Sequence, residues 1–156
     1  MGRLLRSSRT ALLALLPAAL LAAAFAAGPA GAAGTTGELV VIVSARSTVT
    51  VLRSEQVAAI FLGQSARFPD GMEAVPLDQR LGTPLRDEFY LRVANKTPPL
   101  LKAWWSKMVF TGRGQPPAEA PDSAAVRRRV ADHPDMIGYI DRGALDPSVR
   151  AVMVVQ

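Results

Sequence analysis

Two arginines flank a Gly-Thr-Pro turn in the segment DQRLGTPLRDEF, which covers residues 78–89. Thr83, followed by proline, is typical of the start of a helix, where unpaired backbone N–H groups and a partial positive charge attract anions. Arg80 and Arg86 can each supply a guanidinium, whose planar fork matches the oxygens of phosphate or carboxylate. Gly82 lets a ligand approach the backbone closely. The segment predicts a helix start that can hold an anion by hydrogen bonds alone.

An ordinary helix start explains the same residues. Asp87 and Glu88 follow in the first turns of the expected helix, and their carboxylates offset the helix dipole without any ligand. In the anion-binding interpretation, Leu85 and Arg86 also offer backbone N–H groups. Both interpretations stay open at this point, and in both of them Thr83 is the N-cap residue.

Residues suited to catalysis or metal binding are scarce. The sequence has one histidine, His133, and no cysteine, which leaves no Cys/His nucleophile pair and no set of zinc ligands. His133 precedes Pro134 and is predicted to lie at a helix end. Neither a G-x-S-x-G sequence nor a phosphate-binding Gly-Lys-Ser/Thr motif is present. We therefore expect a protein that is not an enzyme, with no catalytic residue, no metal site and no cofactor.

Two further clusters have both a functional and a structural interpretation. Trp104 and Trp105 can stack on a sugar or a base, but their spacing from Leu101 and Met108 favours a helix face that packs in the core. Residues 127–129 are three consecutive arginines. Because successive helical positions fan around the helix axis, we expect a solvated face there rather than one focused surface for an anionic partner.

The first residues of the chain have the pattern of a secretory signal peptide. Residues 1–9 contain three arginines and no acid, residues 11–27 are almost entirely apolar, and the sequence Ala-Gly-Ala at 30–32 is a cleavage site of the A-x-A type. The alternative is an uncleaved membrane anchor, for which the apolar run is slightly short. We expect cleavage near the end of this motif, with Ala24-Phe25-Ala26 as an alternative site. Cleavage at the first site divides the chain into a signal peptide, 1–32, and one domain, 33–156.

The domain expected after cleavage has 15 basic and 13 acidic residues, because three of the 18 basic residues lie in the signal. This small positive excess does not indicate binding to nucleic acid. Without cysteines, the domain has no disulfide and no lipid-modified N-terminal cysteine, so the cleaved product is not expected to be anchored to a membrane. An exported chain with these features is typical of a Gram-negative periplasm, which is the predicted location.

Hydrophobic patterning predicts an α/β domain with a central mixed sheet flanked by helices on both sides. A continuous apolar run after Glu38 indicates a strand that is buried on both faces. Ser54, Thr83 and Thr97 predict helix starts. The expected element order is β-α-β-α-α-α-β-β, with residues 110–121 as a loop. The expected strands are 38–44, 73–77, 136–140 and 151–155, and the expected apolar face of the third helix comprises Leu100, Leu101, Trp104, Trp105 and Met108.

Three segments, in order, resemble one known family. SEQVAAIFLGQSARFPDG (54–71), VPLDQRLGTPLRDEF (75–89) and HPDMIGYI (133–140) are similar to motifs of the periplasmic phosphate-binding proteins of ABC transporters, and more closely to small exported proteins of that type. The resemblance implies a type II periplasmic-binding-protein fold in a single-lobe form. It also implies a phosphate held by neutral donors at helix starts and by one arginine.

The resemblance assigns ligand-binding roles to specific residues. Arg80 matches the arginine of the family pattern, Gly82 and Thr83 match its Ser/Gly/Thr helix start, and Arg86 is a looser match. Ser44, in the sequence SARST after the first strand, is expected to line the same side, since loops at strand ends cluster near ligands in such sheets.

Departures from the family pattern limit what the resemblance implies. Leu81 stands where the family has serine, and Asp135 stands where it has glycine. At this length the domain is expected to form one lobe, and a one-sided site cannot close around a ligand. Two functions from different classes remain. One is an exported solute-binding protein for phosphate or a similar small oxyanion, serving ABC-type uptake or sensing with a permease. The other is a single-lobe structural or interaction module that has lost tight ligand binding and docks on another envelope protein.

Overall fold

A five-stranded mixed sheet with the strand order β3-β2-β4-β1-β5 is the centre of the fold. The computed structural model describes residues 37–156, so the predicted signal peptide lies outside the described residues. β2 pairs in parallel with β3 and β4, whereas β1 pairs antiparallel with β4 and β5. In chain order the elements are β1 (Leu39–Ser44), α1 (Ser54–Phe61), β2 (Val75–Gln79), α2 (Pro84–Ala94), α3 (Pro98–Phe110), β3 (Ala118–Ala120), α4 (Ser123–Asp132), β4 (Met136–Asp141), a short 3-10 helix (Arg142–Ala144) and β5 (Val149–Val154).

All six residues of β1 are buried. Alternate side chains of a strand face opposite sides of a sheet. Val41 and Val43 share a core with α1, α2 and α3, while Val40 and Ile42 share a second core with α4. The sheet therefore lies between two helical layers, which is why this strand is a continuous apolar run. The predicted α/β fold, with a central mixed sheet flanked by helices, is confirmed.

Four aromatic rings fill the space between α1, α2 and the sheet. The ring of Phe89 stacks on that of Tyr139 in β4, with centroids 3.8 Å apart. Phe61 of α1 meets Phe89 edge-on at 4.8 Å, and Tyr90 meets Phe89 edge-on at 5.2 Å. All four side chains are fully buried. Because aromatic pairs in these geometries add to the free energy of burial, the cluster fixes both helices against β4.

Gly138 of β4 allows α4 to approach the sheet closely. A Cβ at this position would lie 2.5 Å from Cγ1 of Val126 and 3.1 Å from Cγ2 of Val130, both of which are buried on α4. Gly138→Ala is therefore expected to lower the free energy of unfolding by about 1–3 kcal/mol through overpacking, as measured by urea denaturation. Gly114→Ala is the matched control, because a Cβ there would meet only Met108, at 3.6 Å. Equal losses in the two variants would contradict close packing of α4 at Gly138.

The structure contains one strand more than the sequence predicts. β3 lies within residues 110–121, which are predicted to form a loop. Its sequence, Ala-Glu-Ala, has no apolar or β-branched run, and only Ala120 is buried. The strand forms because it pairs in parallel with β2, a contact between distant parts of the chain that local sequence does not show. The predicted element order is therefore wrong, and the observed order is β-α-β-α-α-β-α-β-β.

The predicted helix starts agree with the structure to within one residue. Thr83 and Thr97 are the N-cap residues of α2 and α3, each followed by proline. α1 begins at Ser54, so its N-cap residue is Arg53. The predicted apolar face of α3 needs one correction, because Leu100 is 56% exposed. The buried side chains of α3 are Leu101 and Trp105. Within residues 37–156, no helix is long and apolar enough to cross a membrane.

Candidate functional site

The carboxyl ends of β2 and β3 form an edge where two helices begin on opposite faces of the sheet. The chain leaves β2 for α2, which packs in one core, and leaves β3 for α4, which packs in the other. β2 and β3 are adjacent and parallel, so their outgoing connections diverge. Ligands of open α/β sheets bind at such switch points. The loop 80–83, between β2 and α2, lies at this edge.

The start of α2 leaves two backbone amides without an acceptor. Thr83 has extended N-cap geometry, but its hydroxyl donates to the carbonyl of Arg80 at 2.9 Å and caps no amide. Pro84 has no N–H, and the amides of Leu85 and Arg86 meet no acceptor in the described part of the chain. The N-cap position of Thr83 is as predicted, while the cap hydrogen bond is not made. These two N–H groups are therefore available to an anion.

Gly82 and Arg80 shape and charge the loop before α2. Gly82 has a φ of 81°, in the left-handed region, and no heavy atom lies within 4 Å of where its Cβ would be. Glycine is favoured there by the backbone turn rather than by crowding. Arg80 is exposed, and its carbonyl accepts from both the N–H and the hydroxyl of Thr83. The loop is thus a tight turn that carries a solvent-accessible guanidinium.

Two carboxylates lie at the same edge. Asp122 is the N-cap residue of α4, and its Oδ1 accepts from the amide of Ala125 at 2.8 Å. Glu119 of β3 approaches the loop before α2, where its Oε2 accepts from the backbone N–H of Leu81 at 3.1 Å. α4 therefore supplies its own anion at its N-cap. α2 has Asp87 in its first turn, as the ordinary interpretation predicts, and Glu119 lies on the preceding loop, but neither carboxylate accepts from the amides of Leu85 and Arg86. An external anion at α2 would be repelled by Glu119.

A buried carboxylate fastens the first turn of α2 to the end of β2. Asp78 is 1% exposed and accepts from Nε of Arg86 at 3.0 Å and from the hydroxyl of Tyr90 at 2.9 Å. The hydroxyl of Tyr139 and the backbone N–H of Gln79 donate to its other oxygen. These donors come from β2, α2 and β4, so the cluster fixes both ends of the loop between β2 and α2.

Burial shifts the pKa values of this cluster. It raises the pKa of the Asp78 carboxyl, while the hydrogen bond from Tyr139 and the charge of Arg86 oppose that rise. Burial first, and then the negative charge of Asp78, raise the pKa of the Tyr90 and Tyr139 hydroxyls well above their ordinary value. Both tyrosines therefore stay protonated at neutral pH and remain hydrogen-bond donors to the carboxylate.

Arg86, one of the predicted ligand-binding residues, has a largely buried side chain. It is 5% exposed and forms an ion pair with Asp78 through Nε. Its guanidinium carbon lies 5.2 Å from the ring centroid of Tyr90. The terminal nitrogens of Arg86 meet no acceptor within residues 37–156, and the residue lines a groove beside α3. Nε of the guanidinium therefore binds Asp78 within the fold, and the two terminal nitrogens are available to a ligand.

Ser44 lies at the opposite end of the sheet from Arg80. β1 is antiparallel to β4 and β4 is parallel to β2, so the end of β1 is level with the start of β2. At a rise of about 3.3 Å per residue, the length of β2 separates the two residues. The buried hydroxyl of Ser44 donates to the carbonyl of Ala131 at 3.0 Å, and Arg46 donates to the last carbonyls of α4. The structure does not bring Ser44 together with the residues at the start of α2.

The tryptophan pair, 104–105, and the arginine run, 127–129, both make contacts within the fold. Trp105 is 6% exposed in the core, and Nε1 of Trp104 donates to the carbonyl of Leu62 at 3.1 Å. Nε of Arg127 lies 3.2 Å from Oδ2 of Asp146, while the next two arginines are exposed. The single histidine is exposed at the end of α4, as predicted.

No motif in the sequence marks Asp78 or Glu119 as part of this site. Asp78 precedes its partner Arg86 by eight residues, and an acid in a strand followed at this spacing by a basic residue in a helix is the one signal that the sequence offers. Glu119 offers none, because its position depends on β3, which the sequence does not predict.

The fold is similar to that of one part of several solved substrate-binding proteins of phosphate ABC transporters. A structure from Clostridium perfringens, described as such a protein with bound phosphate, is 23% identical and covers 74% of this chain and 44% of its own, with a TM-score of 0.58. An ABC-type phosphate transport receptor from Vibrio cholerae is 17% identical over 74% of this chain and 45% of its own, with a TM-score of 0.58. PstS from Borrelia burgdorferi is 14% identical over 74% of this chain and 46% of its own, with a TM-score of 0.55.

The likeness to these proteins is one of fold. No protein-family model and no curated protein matches the sequence. The chain spans less than half the length of the solved structures to which it is similar. The predicted resemblance is confirmed at this level, and the similar structures are described as binding proteins or receptors rather than enzymes.

Proposed function

We propose that this protein binds phosphate or a similar small oxyanion at the start of α2, as a solute-binding protein for ABC-type uptake or sensing. The observation that carries the proposal is the pair of free amides, those of Leu85 and Arg86, at the switch point of the sheet. Arg80 adds an exposed guanidinium, and Gly82 leaves the approach open. The hydroxyl of Thr83 lies beside the amides and donates to the carbonyl of Arg80, so it serves an anion only by turning away from that carbonyl. Neutral and charged donors in this combination suit a small oxyanion.

The similar structures support the ligand class and the kind of partner. The C. perfringens protein has this fold and contains phosphate, and the V. cholerae protein is described as a phosphate transport receptor. We extend that general role to this chain, with an ABC permease as its partner. The location proposed is the periplasm, after export by the predicted signal peptide, 1–32, and the binding domain is 33–156.

Calorimetric titration of the purified protein with phosphate, sulfate and acetate tests the proposal. Arg80→Ala is expected to weaken phosphate binding about 10- to 100-fold, because a hydrogen bond from a charged group contributes about 1.5–3 kcal/mol. Arg128→Ala is the matched control, since it removes an exposed arginine of α4, and it should bind phosphate like the unchanged protein. Equal affinities of the two variants, or no heat with phosphate at millimolar concentration, would count against the proposal.

Glu119→Gln is expected to change the phosphate affinity in the opposite direction from Arg80→Ala in the same titration. The carboxylate of Glu119 accepts from the N–H of Leu81 and repels an incoming anion. The amide oxygen of glutamine can still accept from that N–H. Phosphate binding is expected to tighten about fivefold, because about 1 kcal/mol of repulsion is removed. Weaker binding in this variant would show that the anion binds elsewhere.

A second candidate function is a structural or interaction module of the cell envelope. It is favoured by the share of the similar structures that the chain spans, 40% to 46%, because the described residues supply donors on one side of a ligand only. Under this alternative, a variant with both Arg80→Ala and Thr83→Ala keeps its cellular role. Loss of that role, with the fold intact, would favour oxyanion binding.

A further inference from the structure

A groove lies beside the first turn of α2 and runs along α3. Its volume is about 1030 Å³, which is large enough for a small organic molecule. Its lining is mainly apolar and includes Leu101, Trp105, Val109 and Phe110 of α3. Leu81, in the loop before α2, also lines it.

The apolar wall of this groove is exposed to water. Phe110 is 92% exposed, Leu81 is 68% exposed and Val109 is 52% exposed. Single exposed apolar side chains are common, but several around one concave surface mark a place where another molecule is bound. The wall therefore suits an apolar body.

The lining also includes one edge of a guanidinium without an acceptor. Arg86 is 5% exposed and lines the groove. Its Nε donates to Asp78, but its terminal nitrogens have no acceptor in the described part of the chain. These terminal nitrogens are not among the fully buried side-chain atoms that lack a partner, so water can reach them. A ligand oxygen would take the place of that water with a charge-assisted hydrogen bond.

The charges of the lining favour an anion over a neutral molecule. Arg86 and Lys102 are the basic residues of the lining, and Glu119 is the acidic one. The carboxylate of Glu119 already accepts from the backbone of Leu81. The lining itself therefore carries two basic groups against one acidic group. Asp78 pairs with Nε of Arg86 but does not line the groove, so the ammonium of Lys102 and the terminal nitrogens of Arg86 are the groups that favour an anionic head.

We propose that the groove binds an organic anion with an apolar body. A carboxylate, phosphate or sulfonate head is held by the terminal nitrogens of Arg86 and by Lys102, and the body lies against Trp105 and Phe110. Inorganic phosphate satisfies only the head and leaves the apolar wall in water. The proposal does not rest on the proposed function, because its donors are side chains of the groove, whereas the oxyanion is assigned to backbone amides and Arg80.

Displacement of the fluorescent anion anilinonaphthalene sulfonate from the full protein by decanoate tests the groove. Decanol, which has the same tail and a neutral head, is expected to bind about tenfold more weakly than decanoate. Lys102→Ala and Phe110→Ala are each expected to raise the Kd for decanoate about fivefold. Both side chains are exposed, so these variants keep the fold. Val51→Ala is the control, because Val51 is 73% exposed and does not line the groove.

Three results would overturn the proposal. The first is equal affinity for decanoate and decanol, and the second is unchanged decanoate affinity in both groove variants. The third is a concentration-dependent dimer that Phe110→Ala abolishes in a protein that binds no decanoate, which would assign the groove to a second copy of the chain. Arg80→Ala separates the two proposed sites, since it should weaken phosphate binding and leave decanoate binding unchanged. If the unchanged protein binds phosphate but not decanoate, only the groove proposal is overturned. If it binds decanoate but not phosphate, only the oxyanion site is overturned.

Discussion

Asp78→Ala is expected to lower the free energy of unfolding by about 3–5 kcal/mol, because it leaves a buried charge without its partner. The carboxylate of Asp78 accepts from Nε of Arg86 and from the hydroxyls of Tyr90 and Tyr139. All three partners are at least nine-tenths buried, so water cannot easily replace the lost acceptor. Urea denaturation, with the slope of the transition checked for two-state behaviour, measures the loss.

Two variants separate the ion pair from a general loss of acidic charge. Asp87→Ala removes a half-buried acid from the same helix turn and is expected to change the free energy of unfolding by at most about 1 kcal/mol. The double variant Asp78→Ala/Arg86→Met removes both charges and is expected to be more stable than Asp78→Ala alone. Losses that simply add in the double variant would mean that Asp78 and Arg86 are not coupled, and this account of the cluster would then be wrong.

Phe89→Ala is expected to lower the free energy of unfolding by about 3–5 kcal/mol, the usual range for truncating a fully buried aromatic side chain. The ring of Phe89 is 0% exposed and contacts three other rings. It stacks on Tyr139 at 3.8 Å and meets Phe61 edge-on at 4.8 Å. Its removal leaves a cavity that α1, α2 and β4 cannot close without moving. Urea denaturation again measures the loss.

Leu91→Ala is the control for Phe89→Ala on the same helix. Leu91 is 50% exposed, and its truncation should cost about 0.5 kcal/mol or less. If Phe89→Ala costs no more than Leu91→Ala, the stacked pair of Phe89 and Tyr139 does not hold α2 to the sheet.

The elements that the sequence predicts are those that depend on residues adjacent in the chain. β1 is predicted because an unbroken apolar run has no stable place other than between two layers. The starts of α2 and α3 are predicted because threonine followed by proline suits the geometry of a helix start. The position of Thr83 follows from this rule, and so does the expectation that backbone amides at α2 face a ligand.

The parts that local sequence does not predict depend on contacts between distant residues. The sequence Ala-Glu-Ala becomes β3 only through pairing with β2, and Glu119 reaches the loop before α2 only because of that pairing. An arginine at position 86 suits either a binding site or a buried ion pair, and the sequence alone does not distinguish the two. The ion pair forms because Asp78 is buried beside Arg86. Ser44 is the last residue of a predicted strand, but the direction of that strand in the sheet places Ser44 away from Arg80.

The position of β1 in the sheet has a consequence for how the domain folds. Val41 pairs with Tyr139 on one side and Met153 on the other, so the first strand of the described domain finds its partners only in the last ones. Pairings so far apart in sequence fold slowly, because the long intervening chain must be ordered first. While the chain is being synthesised, β1 has no partner until β4 and β5 have emerged. The core therefore cannot be completed before those two strands are available, and until then an apolar strand with two open edges is exposed to aggregation.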